Sequence, residues 1–183
     1  MWLVVGLGNP GARYSRTRHN AGFLVVERFA AEQGLDFREK DDYRICAGPI
    51  DGERIGIIEP LTFMNRSGSA VTKVIDKYHI PPERIIVIHD DLDIPTGRLK
   101  IRRKGSSGGH KGVESIIQSI GSRDFIRVKI GIGRDDTVPV ESYVLSKFRR
   151  DELPLIRDAV AQAAESIGAI IAGGIDKAMN RYN

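Results

Sequence analysis

The sequence is poor in the parts from which several classes of protein are built. Among its 183 residues there is one cysteine, Cys46, which excludes an internal disulfide and suits a reducing compartment, so the cytoplasm is the expected location. No apolar run approaches the ~18 residues of a membrane span. The few apolar residues before Gly6 follow no basic segment, so no secretory signal and no membrane partner are expected. Repeats, low-complexity tracts and linkers are missing too, which points to one domain over residues 1–183. Although the chain has 4 histidines, none stand at His-x-x-x-His or His-Glu-x-x-His spacing, the pattern that builds a metal site on one helix face.

What is present is an ordinary core composition with an uneven charge. Apolar residues make up 41% and charged residues 28%, as in soluble globular domains. The formal net charge is +4, but its distribution says more than its size. Arg98, Lys100, Arg102, Arg103 and Lys104 stand directly before Gly105-Ser106-Ser107-Gly108-Gly109, and Arg13, Arg16 and Arg18 form a second cluster. Cations beside backbone-exposing glycines suit a phosphate-rich ligand such as a nucleic acid, although a solvated charged face has the same composition.

Hydrophobic periodicity divides the chain into alternating strands and helices. Trp2–Val5 reads as a buried strand, and a helix from Phe23 ends near Gly34. Asp51-Gly52 between two apolar stretches signals a hairpin. A helix over Ser69–Tyr78 stops at Pro81-Pro82. Ile85–Ile88 has the continuous apolar character of a strand covered on both faces. Gly97–Arg103 reads as a half-exposed strand, Val113–Ile120 as a helix, Phe125–Ile132 as a strand and Tyr143–Leu145 as a brief extended segment. Leu153–Ile170 has the steps of a long amphipathic helix, followed past Gly173-Gly174 by a short terminal one. The expected fold is α/β, a single domain with a central twisted mixed sheet and helices on both faces.

Three polar loops should then meet at one sheet edge: Gly8–Asn20, Phe63–Ser67 and His89–Asp93, with Gly105–Lys111 nearby. Gly6, Gly8 and Gly11 spell the Gly-x-Gly-x-x-Gly of dinucleotide sites. Helical periodicity begins only near Asn20, however, so no helix N-terminus would meet a pyrophosphate. His19, His89, His110, Asp90, Asp91 and Asp93 could supply metal ligands, but the neighbouring arginines and neutral asparagines are poor company for a dication. Cys46 lies on the hairpin without a partner. Water activated by a histidine, with a carboxylate to orient it, is the simplest chemistry.

These residues carry a specific likeness. Gly6-Leu7-Gly8-Asn9-Pro10-Gly11, Tyr14, Thr17 to Gly22, Phe63 to Gly68, His89-Asp90-Asp91-Leu92-Asp93, Gly108 to Gly112, Phe125 to Gly133 and Tyr143 to Phe148 closely resemble bacterial peptidyl-tRNA hydrolases, nearly end to end. The resemblance implies cleavage of the ester between a peptide and the 3′-terminal ribose of tRNA, which recycles tRNA from aborted translation. It implies a metal-independent enzyme that needs no cofactor and acts as a monomer. It makes His19 the base, Asp90 the group that stabilises its basic form, and Asn9 the discriminator of blocked from free aminoacyl esters. Tyr14, Phe63, Asn65 and His110 match substrate or tRNA contacts, and Arg102 and Lys129 suit phosphates by position and charge. One departure stands out: Lys111 occupies a position where the family commonly has a substrate-contacting asparagine, and it is expected to meet a tRNA phosphate instead. The rival reading is a non-catalytic RNA-binding protein on the same scaffold, of the kind that acts in intron splicing.

Overall fold

The computed structural model describes residues 1–183. Strand β1 (Trp2–Gly6) leads through a short 3-10 turn at Arg18–Asn20 into helix α1 (Ala21–Glu32). Strands β2 (Arg38–Glu39), β3 (Tyr43–Ile50) and β4 (Glu53–Pro60) follow, then a 3-10 turn at Met64–Arg66 and helix α2 (Ser67–Tyr78). The remainder is β5 (Ile85–Asp91), β6 (Leu99–Arg102), α3 (Lys111–Ile120), β7 (Ile126–Gly131), α4 (Val140–Val144), α5 (Leu153–Gly173) and α6 (Ile175–Tyr182). The seven strands form one sheet in the order β2-β3-β4-β1-β5-β7-β6. The centre β4-β1-β5-β7 is parallel, β3 and β6 flank it antiparallel, and the short β2 lies antiparallel outside β3. No helix is long and apolar enough to cross a membrane.

Alternation along the strands sorts the core into two layers. Val4, Ile57, Ile86, Ile88 and Val128 face α1, α5 and α6, while Leu3, Val5, Ile58, Ile85 and Val87 face α2 and α3. This is the mixed sheet covered on both sides that the periodicity predicts. The hairpin turn lies at Asp51 and Gly52, with φ of 50° and 79°, the left-handed pair of a tight β-hairpin.

Two elements depart from the periodicity. Tyr143-Val144-Leu145 is not extended: Val140–Val144 is a helical turn that starts after Pro139. Its conformation is set by the Tyr143 hydroxyl, which donates to the Ile132 carbonyl at 2.6 Å, a tertiary bond that overrides the strand preference of an aromatic and β-branched pair. Strand β5 also runs three residues past its apolar run, because pairing with β7 continues through His89, Asp90 and Asp91. Those polar residues therefore sit on a rigid strand rather than in a turn.

Glu59, in the apolar stretch of β4, is fully buried on the α1 side of the sheet. It pairs with Arg44, which also holds Glu27, and its Oε1 has no partner. Burial pushes its carboxyl up to about 7, against the pull of Arg44. The native state thus binds this proton more tightly than the unfolded chain does. The stabilisation is complete below the ordinary carboxylate range and is lost as pH rises through about 7. Glu59→Gln should therefore flatten the pH dependence of stability. Between pH 5 and pH 8, wild type should lose about 2–4 kcal/mol more than the variant in urea unfolding. Equal losses would show that Arg44 compensates the buried charge.

Candidate active site

Strands β1, β4, β5 and β7 are parallel, so their carboxyl ends share one sheet edge, where α/β folds place ligand crevices. A cleft of about 500 Å³ opens there, and its walls include Asn9, Tyr14, His19, Phe63, Asn65, Asp90, His110 and Lys111. The three loops expected to meet do so, and the Gly105–Lys111 segment joins them.

The turn bearing His19 reaches the sheet because Gly22 lets α1 begin against it. A Cβ at Gly22 would lie 2.4 Å from the Ile88 carbonyl and 2.5 Å from the Leu7 amide. Gly6 serves the same close approach from the strand side, since a Cβ there would lie 2.6 Å from the Gly22 carbonyl. Asn20 then brackets the neighbouring loop: its Oδ1 accepts the Asn9 amide and its Nδ2 donates to the Asn9 carbonyl, both at 2.9 Å. Asn9 is fixed in turn, since its Oδ1 accepts the Met64 amide at 2.9 Å. With that oxygen occupied, the Asn9 amide faces the cleft as a donor.

His19 Nδ1 lies 2.9 Å from Asp90 Oδ2 and 3.1 Å from Oδ1. A carboxylate there draws the imidazole proton to Nδ1 and leaves Nε2 as a free base. Asp90 Oδ1 also receives His110 Nε2 at 2.8 Å. Burial alone would raise the Asp90 carboxyl, but the facing imidazoles of His110 and His19 hold it well below the usual carboxylate range. His89, behind this group, is held well below the ordinary imidazole range by burial.

His19, Asp90 and His110 could in principle hold a metal ion, since their donor atoms lie within 4.8 Å of one another. The local chemistry opposes it. His110 Nδ1 accepts the amides of Gly112 and Val113 at 3.2 and 3.3 Å, so its proton must sit on Nε2, where a metal would need the lone pair. The trio is instead a set of hydrogen bonds around one carboxylate. The segment Gly105–Gly109 also spells the Gly-x-Ser-x-Gly of a serine nucleophile elbow. Here it follows edge strand β6, and the Ser107 hydroxyl accepts the Gly109 amide at 3.4 Å and bonds to no histidine, so a serine nucleophile has no base.

The other expected residues are placed unevenly. Tyr14, Phe63 and Asn65 line the cleft, Phe63 with its ring largely exposed. Lys111 lines it too, but its ammonium is paired with Glu141 at 2.7 Å across the mouth. Lys129 is paired with Asp91 at 3.1 Å. Arg102 is not brought to the cleft. It stands opposite Arg127 in the β6–β7 ladder, two positions beyond the Lys100–Lys129 pair. Period-2 alternation nevertheless puts Lys100, Arg102 and Lys129 on one sheet face, forming a basic strip beside the cleft.

Several supporting residues escaped the sequence pattern. Val140, Val144 and Leu145 form an apolar lip. Arg127 is fully buried without an acid partner, and donates to the carbonyls of Arg123, Phe125 and Gly105. It thereby ties down the loop that leads to His110; burial pushes its guanidinium down to about 10. Arg18 anchors the His19 turn to the segment after α4 through Glu152 and Ser146.

The comparisons with known proteins agree with one another. The family model described as peptidyl-tRNA hydrolase matches residues 3–183. A peptidyl-tRNA hydrolase of Thermodesulfovibrio yellowstonii is 51% identical, over 100% of this chain and 99% of its own. One from Dehalococcoides mccartyi is 45% identical over 100% of both. The crystal structure of peptidyl-tRNA hydrolase from Acinetobacter baumannii superposes with a TM-score of 0.95 at 36% identity, over 100% of this chain and 94% of that one. Sequence and fold together place this chain in the peptidyl-tRNA hydrolase family.

Proposed function

We propose that this chain hydrolyses the ester joining a peptide to the 3′-terminal ribose of tRNA, with His19 as general base and without a metal. The observation that carries the reading is the His19–Asp90 contact, 2.9 Å from Nδ1 to Oδ2, which leaves Nε2 facing the cleft. Nε2 takes a proton from water as the water attacks the ester carbonyl. The imidazolium so formed is balanced by Asp90 and returns its proton to the departing ribose oxygen. Asp90 stays ionised throughout and serves to orient the ring.

Specificity for a blocked amino group follows from Asn9. With its oxygen committed to Met64, its amide offers the substrate only N–H donors. The acyl group of a peptidyl ester has a carbonyl to accept them, whereas the free ammonium of an aminoacyl ester is donor-only and is disfavoured. Asn65 and Tyr14 suit the ribose and terminal base, and Phe63 and the lip at Val140 and Leu145 suit the apolar parts of the peptide. Lys111 and Lys129 exchange Glu141 and Asp91 for phosphates, with Arg102 farther along the same strip. Each phosphate so bound adds roughly −0.7 to −0.9 to the log–log salt slope. Lys111→Asn should therefore make the slope shallower.

The test is release of an N-blocked amino acid from tRNA, with unblocked aminoacyl-tRNA alongside and chelator present throughout. Cleavage of the blocked ester alone is expected. Binding without cleavage would favour the RNA-binding alternative, and cleavage arrested by chelator would make the His–Asp–His group a metal site.

A further inference from the structure

His110 resembles a substrate contact by its place in the sequence, but its geometry gives it different work. Its Nδ1 caps α3, accepting the amides of Gly112 and Val113 at 3.2 and 3.3 Å. That nitrogen therefore carries no proton, and the ring's single proton is on Nε2, 2.8 Å from Asp90 Oδ1. Protonating Nδ1 would turn an N–H against two amide N–H groups at the positive end of a helix. The cap therefore keeps Nδ1 as an acceptor and Nε2 as the donor to Asp90. The His110 side chain is 7% exposed, so it offers a ligand almost no surface.

The ring is also fixed sideways. It packs between His19, with centroids 4.9 Å apart, and His89, 4.8 Å away and edge-on. His89 is immobilised by its own Nδ1–H, which donates to the Asp90 carbonyl at 2.7 Å. Asp90 thus has one carboxylate oxygen pinned by His110, while the other faces His19.

We infer that His110 is a positioning residue: the N-terminus of α3 fixes its proton on Nε2, and that proton holds the Asp90 carboxylate in the plane from which it orients His19. The inference rests on the reading of His19 as the base and Asp90 as its orienting group. It links the helix cap to the catalytic histidine through two hydrogen bonds and one carboxylate.

Two substitutions separate the cap from the clamp. His110→Asn keeps a strong N-cap, but its shorter amide stops before Asp90. His110→Gln can present an amide N–H at about the reach of Nε2. On N-blocked aminoacyl-tRNA, His110→Asn should lower kcat about 10- to 100-fold through misplacement of Asp90, leave KM within about twofold, and be partly rescued by His110→Gln. A raised KM with unchanged kcat would make His110 a substrate contact and overturn the inference, as would unchanged kinetics. Imidazole nitrogen NMR of the unmodified protein supplies an independent arm that needs no turnover. An unprotonated Nδ1 and protonated Nε2 at neutral pH are expected for His110, and the opposite tautomer or an imidazolium would overturn the inference even if the hydrolase reading stood. The expected tautomer in a protein that cleaves nothing would fault the hydrolase reading instead.

Discussion

His19→Ala is expected to lower kcat on N-blocked aminoacyl-tRNA by at least about 10²–10⁴-fold, the worth of a positioned general base, and to leave the Kd for tRNA unchanged. No other group in the cleft is placed to take over. Asp90 is committed to two imidazoles, His110 has its proton on Nε2, and the His89 Nε2 is enclosed without a partner. The cations expected to meet tRNA, Lys111, Lys129 and Arg102, stand on α3, β7 and β6, not on the His19 turn. Turnover and binding should therefore separate. Single-turnover rates and filter binding on the same preparation make the test. Loss of binding in parallel with turnover would make His19 a structural residue. Asp90→Asn provides a second view of the same contact. An asparagine can present its N–H to His19, which reverses the ring's tautomer and puts a proton on the nitrogen facing the cleft. Its kcat should fall toward that of His19→Ala while the fold is kept.

The parts of this arrangement that were legible in the sequence share a local cause. The hairpin follows from Asp51-Gly52, α5 from apolar steps of three and four, and the buried parallel strands from runs such as Ile85–Ile88. The carboxylates after Ile85–Ile88 stood out because the end of a buried strand gives them no packing reason to be there, whereas the roles expected of His19, Asp90 and Asn9 came from the likeness to peptidyl-tRNA hydrolases. What was not legible depends on partners far away in the chain. Arg18 and Glu152 lie 134 residues apart, and no periodicity connects them. Glu59 and Arg127 are buried by the sheet, and no local pattern marks either of them. The contact of His110 with Asp90 joins residues 20 positions apart on different elements. The basic strip was visible as composition, but only strand pairing shows that Lys100, Arg102 and Lys129 share a face and that Arg102 lies off the cleft.

The buried ion pair beneath the His19 turn gives the largest expected effect on stability. Arg18 and Glu152 are joined by two contacts of 2.9 Å, and their side chains are 3% and 5% exposed. Arg18 also donates to Ser146 at 3.1 Å and stacks over Tyr143 and Phe148. Burial would raise the Glu152 carboxyl, but Arg18 and the Arg149 amide hold it below the ordinary range. Removing the cation alone leaves a desolvated carboxylate, and breaking such a pair costs about 3–5 kcal/mol. Arg18→Met should therefore lower Tm by roughly 6–20 °C in a chain of this size. By contrast, an exposed pair such as Arg103–Asp176 should contribute no more than about 1 kcal/mol. Replacing both partners, Arg18→Met with Glu152→Leu, removes the stranded charge and should recover much of the loss. Arg18→Lys keeps the charge without the fork and should fall between. A loss below about 1 kcal/mol for Arg18→Met would mean that water reaches Glu152 and that the pair does not hold the turn. The result bears on catalysis because the Arg18 amide donates to the Ser146 carbonyl at 3.0 Å. One residue thus ties the turn that carries His19 to the segment that continues from the cleft's apolar lip. An Arg18→Met protein that stays folded at low temperature should accordingly lose kcat before it loses tRNA binding.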